Sequence, residues 1–484
     1  LASDFYYVYE FFKKGIEDGN NYYSLSQTRS RSAAFFANAT YSYKGRYTVN
    51  GTARYEGTNR MGKSRSARWL PTWNVSGAWN AHEEKFFSNL TSVLSHFTLK
   101  ASYSLTADRG PADVTNSQAI ITSYSPYRPF TSIQESGLYI KELENSELTY
   151  EKKHELNIGA DMGFLNNRIN LAVDWYKRNN YDLIGIVNTQ GAGGQILKYA
   201  NIASMKSHGI EFTLSTKNIK TKDFNWNTDF IFSNAKNEVT DLKQNANVME
   251  LISGNGFAKQ GYPVRGLFSI PFVGLDKDGI PVIINEKGEA TSTDINFQER
   301  QNTGFLKYEG PTDPTITGSL GNMFSYKGFR LNLFITYSFG NVIRLNPVFK
   351  AYYSDLTAMT REFKNRWTLP GDEAKTNVPA ILSKRMYDSN EDLKYAYNAY
   401  NYSTERIAKG DFIRLKEISL AYDFPKAWIN PLKLTDLSLK VQATNLFLIY
   451  ADDKLNGQDP EFFNAGGVAS PVPRQFTITL RLGL

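Results

Sequence analysis

Few side chains in this sequence stand where they could do covalent or redox chemistry together. Cysteine is absent, so there is no thiolate nucleophile, no thiolate metal site and no disulfide framework. The histidines, His82, His96, His154 and His208, lie far apart with no i, i+4 pair, and are assigned neither metal nor catalysis. Gly371-Asp372-Glu373 sets two carboxylates side by side, but neighbours on an irregular loop have no defined separation for an acid and a base. Asp276-Lys277-Asp278-Gly279 opens like a calcium loop, yet the third ligand falls on Ile280, and Lys287 stands where a bidentate Glu belongs. A hairpin turn is expected there instead. Gly191-Ala192-Gly193-Gly194 lacks the following helix that a phosphate cradle needs, and reads as a mobile loop. No catalytic residue, metal or cofactor is assigned, and the chain does not read as an enzyme.

Two aromatic clusters remain as candidate binding features. One is Phe5-Tyr6-Tyr7-Val8-Tyr9; the other runs from Tyr395 through Tyr397 and Tyr400 to Tyr402, with Asn398 and Asn401 between. Aromatic faces beside Asn and Asp suit sugar rings, and Tyr suits protein contacts because it offers area at little rotamer cost. Tyr6, Tyr7, Tyr9, Tyr395, Tyr397, Tyr400 and Tyr402 are thus candidates for substrate or partner contact. The plainer alternative is mutual packing of exterior loops.

The elements that must carry these residues show period-two alternation, the mark of strands with lipid on one side. Phe97, Leu99, Ala101, Tyr103 and Leu105 share one face, against Thr98, Lys100, Ser102 and Ser104 on the other. The pattern recurs at Tyr47 to Tyr55, Trp73 to Trp79, Leu156 to Met162, Ile169 to Trp175, Ile210 to Leu214 and, more weakly, Phe224 to Phe230. It continues at Ile316 to Phe324, Phe329 to Tyr337, Ile418 to Phe424, Leu437 to Val441 and Phe476 to Leu484. Most runs are about ten residues long, the length that crosses hydrocarbon at a tilt, where soluble strands average about five or six. Lys44-Gly45-Arg46, Asn166-Asn167 and Lys327-Gly328 are tight turns, whereas 107–150, 234–315 and 340–410 are long and polar. Short turns on one side and long loops on the other distinguish the periplasmic and exterior rims of an outer-membrane barrel. Trp73, Trp79, Trp175 and Tyr337 fall near strand ends on the apolar face, at the membrane interfaces.

Composition agrees with an envelope protein. Only 41% of residues are apolar while 14% are aromatic, and no stretch of about 18 residues is long and apolar enough to read as a spanning helix. The net charge of +7 is spread over 55 basic and 48 acidic residues, a mixed polar surface and no footprint for nucleic acid. The first residues, Leu1-Ala2-Ser3-Asp4-Phe5, carry neither a basic nor an apolar leader segment. The fold class is therefore all-β, a transmembrane antiparallel β-barrel with about 13 strands between residues 31 and 484. An odd count does not close with both ends periplasmic, so strands upstream are expected. Residues 1–30 then read as the tail of an exterior loop and 31–484 as the C-terminal part of the barrel.

Five phrases in order carry a resemblance: Gly163-Phe164-Leu165-Asn166-Asn167-Arg168-Ile169, Gly261-Tyr262-Pro263-Val264-Arg265, Gly310-Pro311-Thr312-Asp313-Pro314, Arg366-Trp367-Thr368-Leu369-Pro370-Gly371-Asp372-Glu373 and Gly410-Asp411-Phe412-Ile413-Arg414-Leu415-Lys416. Together they resemble the SusC/RagA family of TonB-dependent transporters of Bacteroidota, from about residue 70 to the end. The final Leu484 departs from the family's more usual Phe. The resemblance implies an outer-membrane barrel of about 22 strands, of which this chain supplies the C-terminal part. It places the plug and the TonB box upstream, and implies TonB-driven import of an oligosaccharide or peptide with a SusD-like surface lipoprotein docked on the exterior loops. A passive porin, or a barrel enzyme, is the alternative from another class. The phrases themselves have structural readings; Gly310 to Pro314, for instance, fixes two φ angles just ahead of a strand.

Overall fold

The computed structural model describes residues 2–17, 30–110, 119–124, 137–188, 197–349, 359–463 and 471–483. Gly191 to Gly194 and Leu484 lie outside the described residues, as does residue 18–29 of the expected loop tail. Residues Ala2–Glu17 of that tail form a helix, α1.

Thirteen antiparallel strands pair in chain order into one sheet. They are β1 (Ser32–Tyr43), β2 (Tyr47–Thr58), β3 (Trp69–Asn80), β4 (Leu94–Asp108), β5 (Glu151–Phe164), β6 (Ile169–Asn188), β7 (Leu197–Lys220), β8 (Phe224–Leu242), β9 (Ile316–Tyr326), β10 (Phe329–Phe339), β11 (Phe412–Asp423), β12 (Asp436–Ala451) and β13 (Gln475–Gly483). The strand count read from alternation is the count observed. The alternation also gives the faces: Leu99, Ala101 and Tyr103 stand opposite Ala160, Ile158 and Leu156, and Val173 and Trp175 stand opposite Ala160 and Ile158. The other face is polar and holds cross-strand ion pairs, Lys100 to Asp161 at 2.7 Å, Arg178 to Glu155 at 3.1 Å and Arg330 to Asp423 at 2.7 Å. This is the lumen wall of a barrel, wet inside and apolar outside.

The tight turns are built from left-handed residues. Tyr326 pairs with Phe329, and the two residues between, Lys327 and Gly328, have φ of 44° and 90°, the signature of a two-residue hairpin that follows the strands' twist. Across the wall, Gly318 leaves room for the Tyr337 ring, whose hydroxyl donates to the Ile231 carbonyl at 2.9 Å. A side chain at Gly318 would collide with both.

Two features exceed the sequence reading. Strands β6, β7 and β8 run for 20, 24 and 19 residues, about twice the expected crossing. Their upper halves, rich in Lys, Arg, Asn and Ser, show no alternation because no lipid selects one face there; backbone pairing alone extends them. Bulges at Asn180/Leu183 and at Val239/Asp241 mark the change.

Secondly, the long exterior loops pack into a body with its own core. Helix α2 (Val248–Ile252) is fixed by a reciprocal cap between Asn247 and Glu250 and buries Val248, Leu251 and Ile252 against Phe268, Ile270, Ile283, Leu306 and Ala399. Tyr262, Phe268 and Tyr308 meet with ring centroids 4.9 to 5.3 Å apart. Residues 243–315 and 340–411 join where the Ile270 amide donates to the Tyr402 carbonyl and the Thr404 amide to the Ile270 carbonyl, both at 3.1 Å. A buried loop must pair its backbone, and these short bridges do so without the periodicity that sequence reading detects.

Candidate functional site at the exterior mouth

Three of the five phrases converge above β9 to β11. The Arg265 guanidinium meets Asp313 at 2.7 Å, and the Thr312 amide donates to the Arg265 carbonyl at 2.9 Å. The Asp411 carboxylate accepts the Gly340 amide at 2.7 Å, and the Gly410 amide donates to the Asn341 carbonyl at 2.9 Å. These contacts hold the roots of both long loops against the wall. The turn expected before β9 is present, joined to a second strand: Lys307–Pro311 pairs with Gly266–Ser269.

The fourth phrase closes on itself. Asp372 accepts from the Thr368 and Leu369 amides and the Thr368 hydroxyl, and Glu373 from the Trp367 indole at 3.0 Å. These bonds hold both carboxyls below their ordinary range, the backbone amide of Leu369 foremost for Asp372 and the Trp367 indole for Glu373. Both carboxylates are spent as loop fasteners. Asp276 likewise accepts the amides of Asp278 and Ile280 in a hairpin turn, as the sequence reading expects, and Trp367 packs on Gly279.

Buried arginines, which sequence reasoning missed, organise the mouth. Arg344 is 6% exposed and donates to the carbonyls of Ser403, Ile252 and Phe268, at 2.8, 3.3 and 2.6 Å. Burial lowers its guanidinium to about 9, with Glu309 pulling it up, so it stays charged at neutral pH. Arg406 pairs with Glu362, and Arg414 with Asp459 at 2.5 Å and Glu461 at 3.3 Å. Only Arg414 had a signal, since it lies inside a quoted phrase.

Beside Arg414, a cavity of about 1560 Å³ opens between residues 346–349 and 359–361, the helix α3 (Leu393–Asn401) and the upper end of β12. Its lining mixes Asn398, Asn445 and Gln458 with Phe349 and Phe447. The second aromatic cluster is α3 itself. Tyr397 and Tyr400 are 1% exposed, packed on Phe349 and Phe272, and burial pushes the Tyr400 phenol up to about 12. Tyr402 lies under the Arg344 guanidinium at 5.9 Å. Tyr395 stands exposed, with the Lys394 ammonium over its ring. The helix thus turns its asparagines to the cavity and most of its tyrosines to the loop core. Tyr7 and Tyr9 stand exposed on a different element, α1; the Tyr6 side chain lies outside the described residues.

The structure brings two of the histidines, far apart in the sequence reading, together, and keeps the others apart. His154 stacks between Tyr103 and Tyr181, both at 5.7 Å, beside Trp73, in the aromatic belt at the exterior interface. His82 and His96 face each other at 4.1 Å near the periplasmic rim.

Comparison with known proteins fits this geometry. The family described as "TonB dependent receptor-like, beta-barrel" matches residues 2–446. "TonB-dependent receptor P3" of Formosa agariphila is 25% identical over 446 residues, covering 88% of this chain and 41% of that protein. "TonB-dependent receptor SusC" of Bacteroides thetaiotaomicron is 26% identical over 515 residues, covering 98% of this chain and 47% of that protein. Among solved structures, that of the RagAB peptide transporter superposes with a TM-score of 0.74 at 23% identity, over 95% of this chain and 48% of that one. The chain spans less than half the length of the curated relatives it matches. A polar-lined wall of thirteen strands, roofed by packed exterior loops and matched by the family almost end to end, places this chain among the TonB-dependent receptor β-barrels, as a SusC/RagA-like protein of the outer membrane.

Proposed function

We propose that this chain forms the wall and exterior roof of a transporter that imports a large nutrient, an oligosaccharide or a peptide, across the outer membrane. Import is driven through TonB, and a SusD-like surface lipoprotein docks on the roof. The observation that carries the reading is the mouth cavity of about 1560 Å³, lined by hydrogen-bonding and aromatic groups above a polar wall. A site of that size and mixed lining suits a ligand with repeated hydroxyls or amides. Tyr395, Tyr7 and Tyr9, exposed on the loop body and on α1, are proposed contacts for substrate or lipoprotein. The RagAB relatives are described as peptide transporters or importers, which makes peptide the first substrate to try.

The test is uptake of labelled peptides and oligosaccharides by cells carrying the whole transporter, with and without TonB. TonB-dependent uptake of one class is expected. Asn398→Trp, which narrows the cavity from α3 and leaves every wall residue unchanged, should reduce that uptake several-fold at unchanged barrel yield. Uptake that persists without TonB would favour a passive porin.

A further inference from the structure

The outward face of β6 to β8 carries charge just where its apolar stripe ends. Trp175 pairs with Ile210, and the next outward pair is Lys177 with His208. On the other side of β7, His208 stands opposite Lys236 of β8. One step higher, Lys206 is opposite Asn179 and Glu238. All of Lys177, Lys206, His208 and Lys236 are exposed. Two carboxylates near them are already engaged, Glu238 with Lys206 at 3.1 Å and Asp182 with Lys152 at 2.7 Å. Among the described residues Lys177 and Lys236 make no ion pair.

Height decides what such a patch meets. Lys177 is about eight residues above Ile169, the first outward residue of β6; at about 3.3 Å per residue and a tilt of about 40°, it stands roughly 20 Å above the periplasmic rim. Lys236, about twelve residues above Phe224, stands roughly 30 Å up by the same reckoning. The apolar band of such barrels is about 25 Å tall, so the two lysines and His208 straddle the level of the outer-leaflet headgroups. Two free ammonium groups there, above an indole, face the layer in which a lipid carries its phosphate.

We propose that Lys177, His208 and Lys236 hold the phosphate of an outer-leaflet lipid whose acyl chains lie on Trp175 and Ile210. The ammonium groups supply charge-assisted donors to phosphate oxygens, and the hydrocarbon stripe below supplies continuity with the lipid's own apolar part. The carboxylate nearest the lysines, Glu238, is held by Lys206, and Asp241, opposite Ser204, stands farther up the strand. The site is separate from the mouth cavity and does not depend on what the transporter carries.

The whole transporter would be placed in phosphatidylcholine nanodiscs holding a fixed fraction of diphosphoryl lipid A, with dephosphorylated lipid A in a parallel arm, and bound lipid read by native mass spectrometry. Retention of the phosphorylated lipid is expected. K177Q/K236Q should lose about tenfold of it, each lysine near the surface being worth about 1 kcal/mol before screening. Either single change should lose about threefold, and K177R/K236R should keep it. K44Q/K327Q, at the opposite rim, should change nothing. Heat-modifiability on gels shows that each variant is folded. Equal retention by the glutamine variants, equal retention of the dephosphorylated lipid, or release by inorganic phosphate alone would each overturn the proposal; the last would mean a free-anion site.

Discussion

Arg344 joins three carbonyls from different segments, and among the described residues no carboxylate is hydrogen-bonded to it. Replacing it by Met, of similar length, takes this donor from all three; the Ser403 carbonyl keeps the Arg406 amide at 3.1 Å, while the Ile252 and Phe268 carbonyls lose their bond to the guanidinium, at about 1–3 kcal/mol for each left unpaired where water cannot reach. Arg344→Met should therefore loosen the loop body while leaving the wall intact. Faster hydrogen exchange at the Ile270 and Thr404 amides, which bridge the two loops, with unchanged exchange in β9 and β10, is the expected readout. A second prediction concerns acid. The folded Asp372 carboxyl lies below its ordinary value, so it binds its proton less readily folded than unfolded. The loop closure it supports is fully present above the ordinary carboxylate range and is lost as pH falls through the depressed folded value. Protection of the Leu369 amide, taken relative to the free-peptide exchange rate at each pH, should hold down to mildly acid pH and fall only in strong acid. Neither residue's role was legible beforehand: Asp372 was visible as a carboxylate but not as a fastener, and nothing adjacent to Arg344 in sequence distinguishes it from a surface arginine.

Among elements, the wall was legible because lipid imposes a two-residue rule that survives in a single sequence. It sets the facing of β10, where Leu333 shares the outward side with Leu331 and Ile335 while Asn332 faces the lumen beside Glu417. A lysine at Leu333, near the middle of the strand, should cost about 2–4 kcal/mol, and one at Asn332 little. Folding yields in lipid vesicles should fall for Leu333→Lys and hold for Asn332→Lys; equal yields would mean the faces are exchanged. Where lipid is absent the rule fails. The upper halves of β6 to β8, the helix α3 and the short loop strands are positioned by long-range pairing and by a core assembled from separate segments, and a local pattern carries none of that.

For the whole molecule, the sheet has two ends. Strand β1 and nearly all of β13 are exposed on both faces, with Phe35, Phe36, Phe476 and Ile478 all more than two-thirds exposed. Among the described residues neither strand pairs beyond its one neighbour. Each free edge presents unpaired backbone groups, costing several kcal/mol apiece in hydrocarbon. The 484-residue segment refolded alone into lipid vesicles should therefore give no uniform conductance. Uniform channels would show that β1 and β13 close on each other in lipid.

The bulges in β6 to β8 bear on how such a protein can change over generations. Below them every outward position answers to lipid, so a substitution there is filtered by the bilayer. At Asn180/Leu183 and Val239/Asp241 the register shifts, and above those points the facing of a side chain is no longer inherited from the wall. The part of the hairpins that meets the outside world can thus drift residue by residue, or lengthen, while the lower half anchors it in place. A new specificity can be explored there without renegotiating membrane insertion.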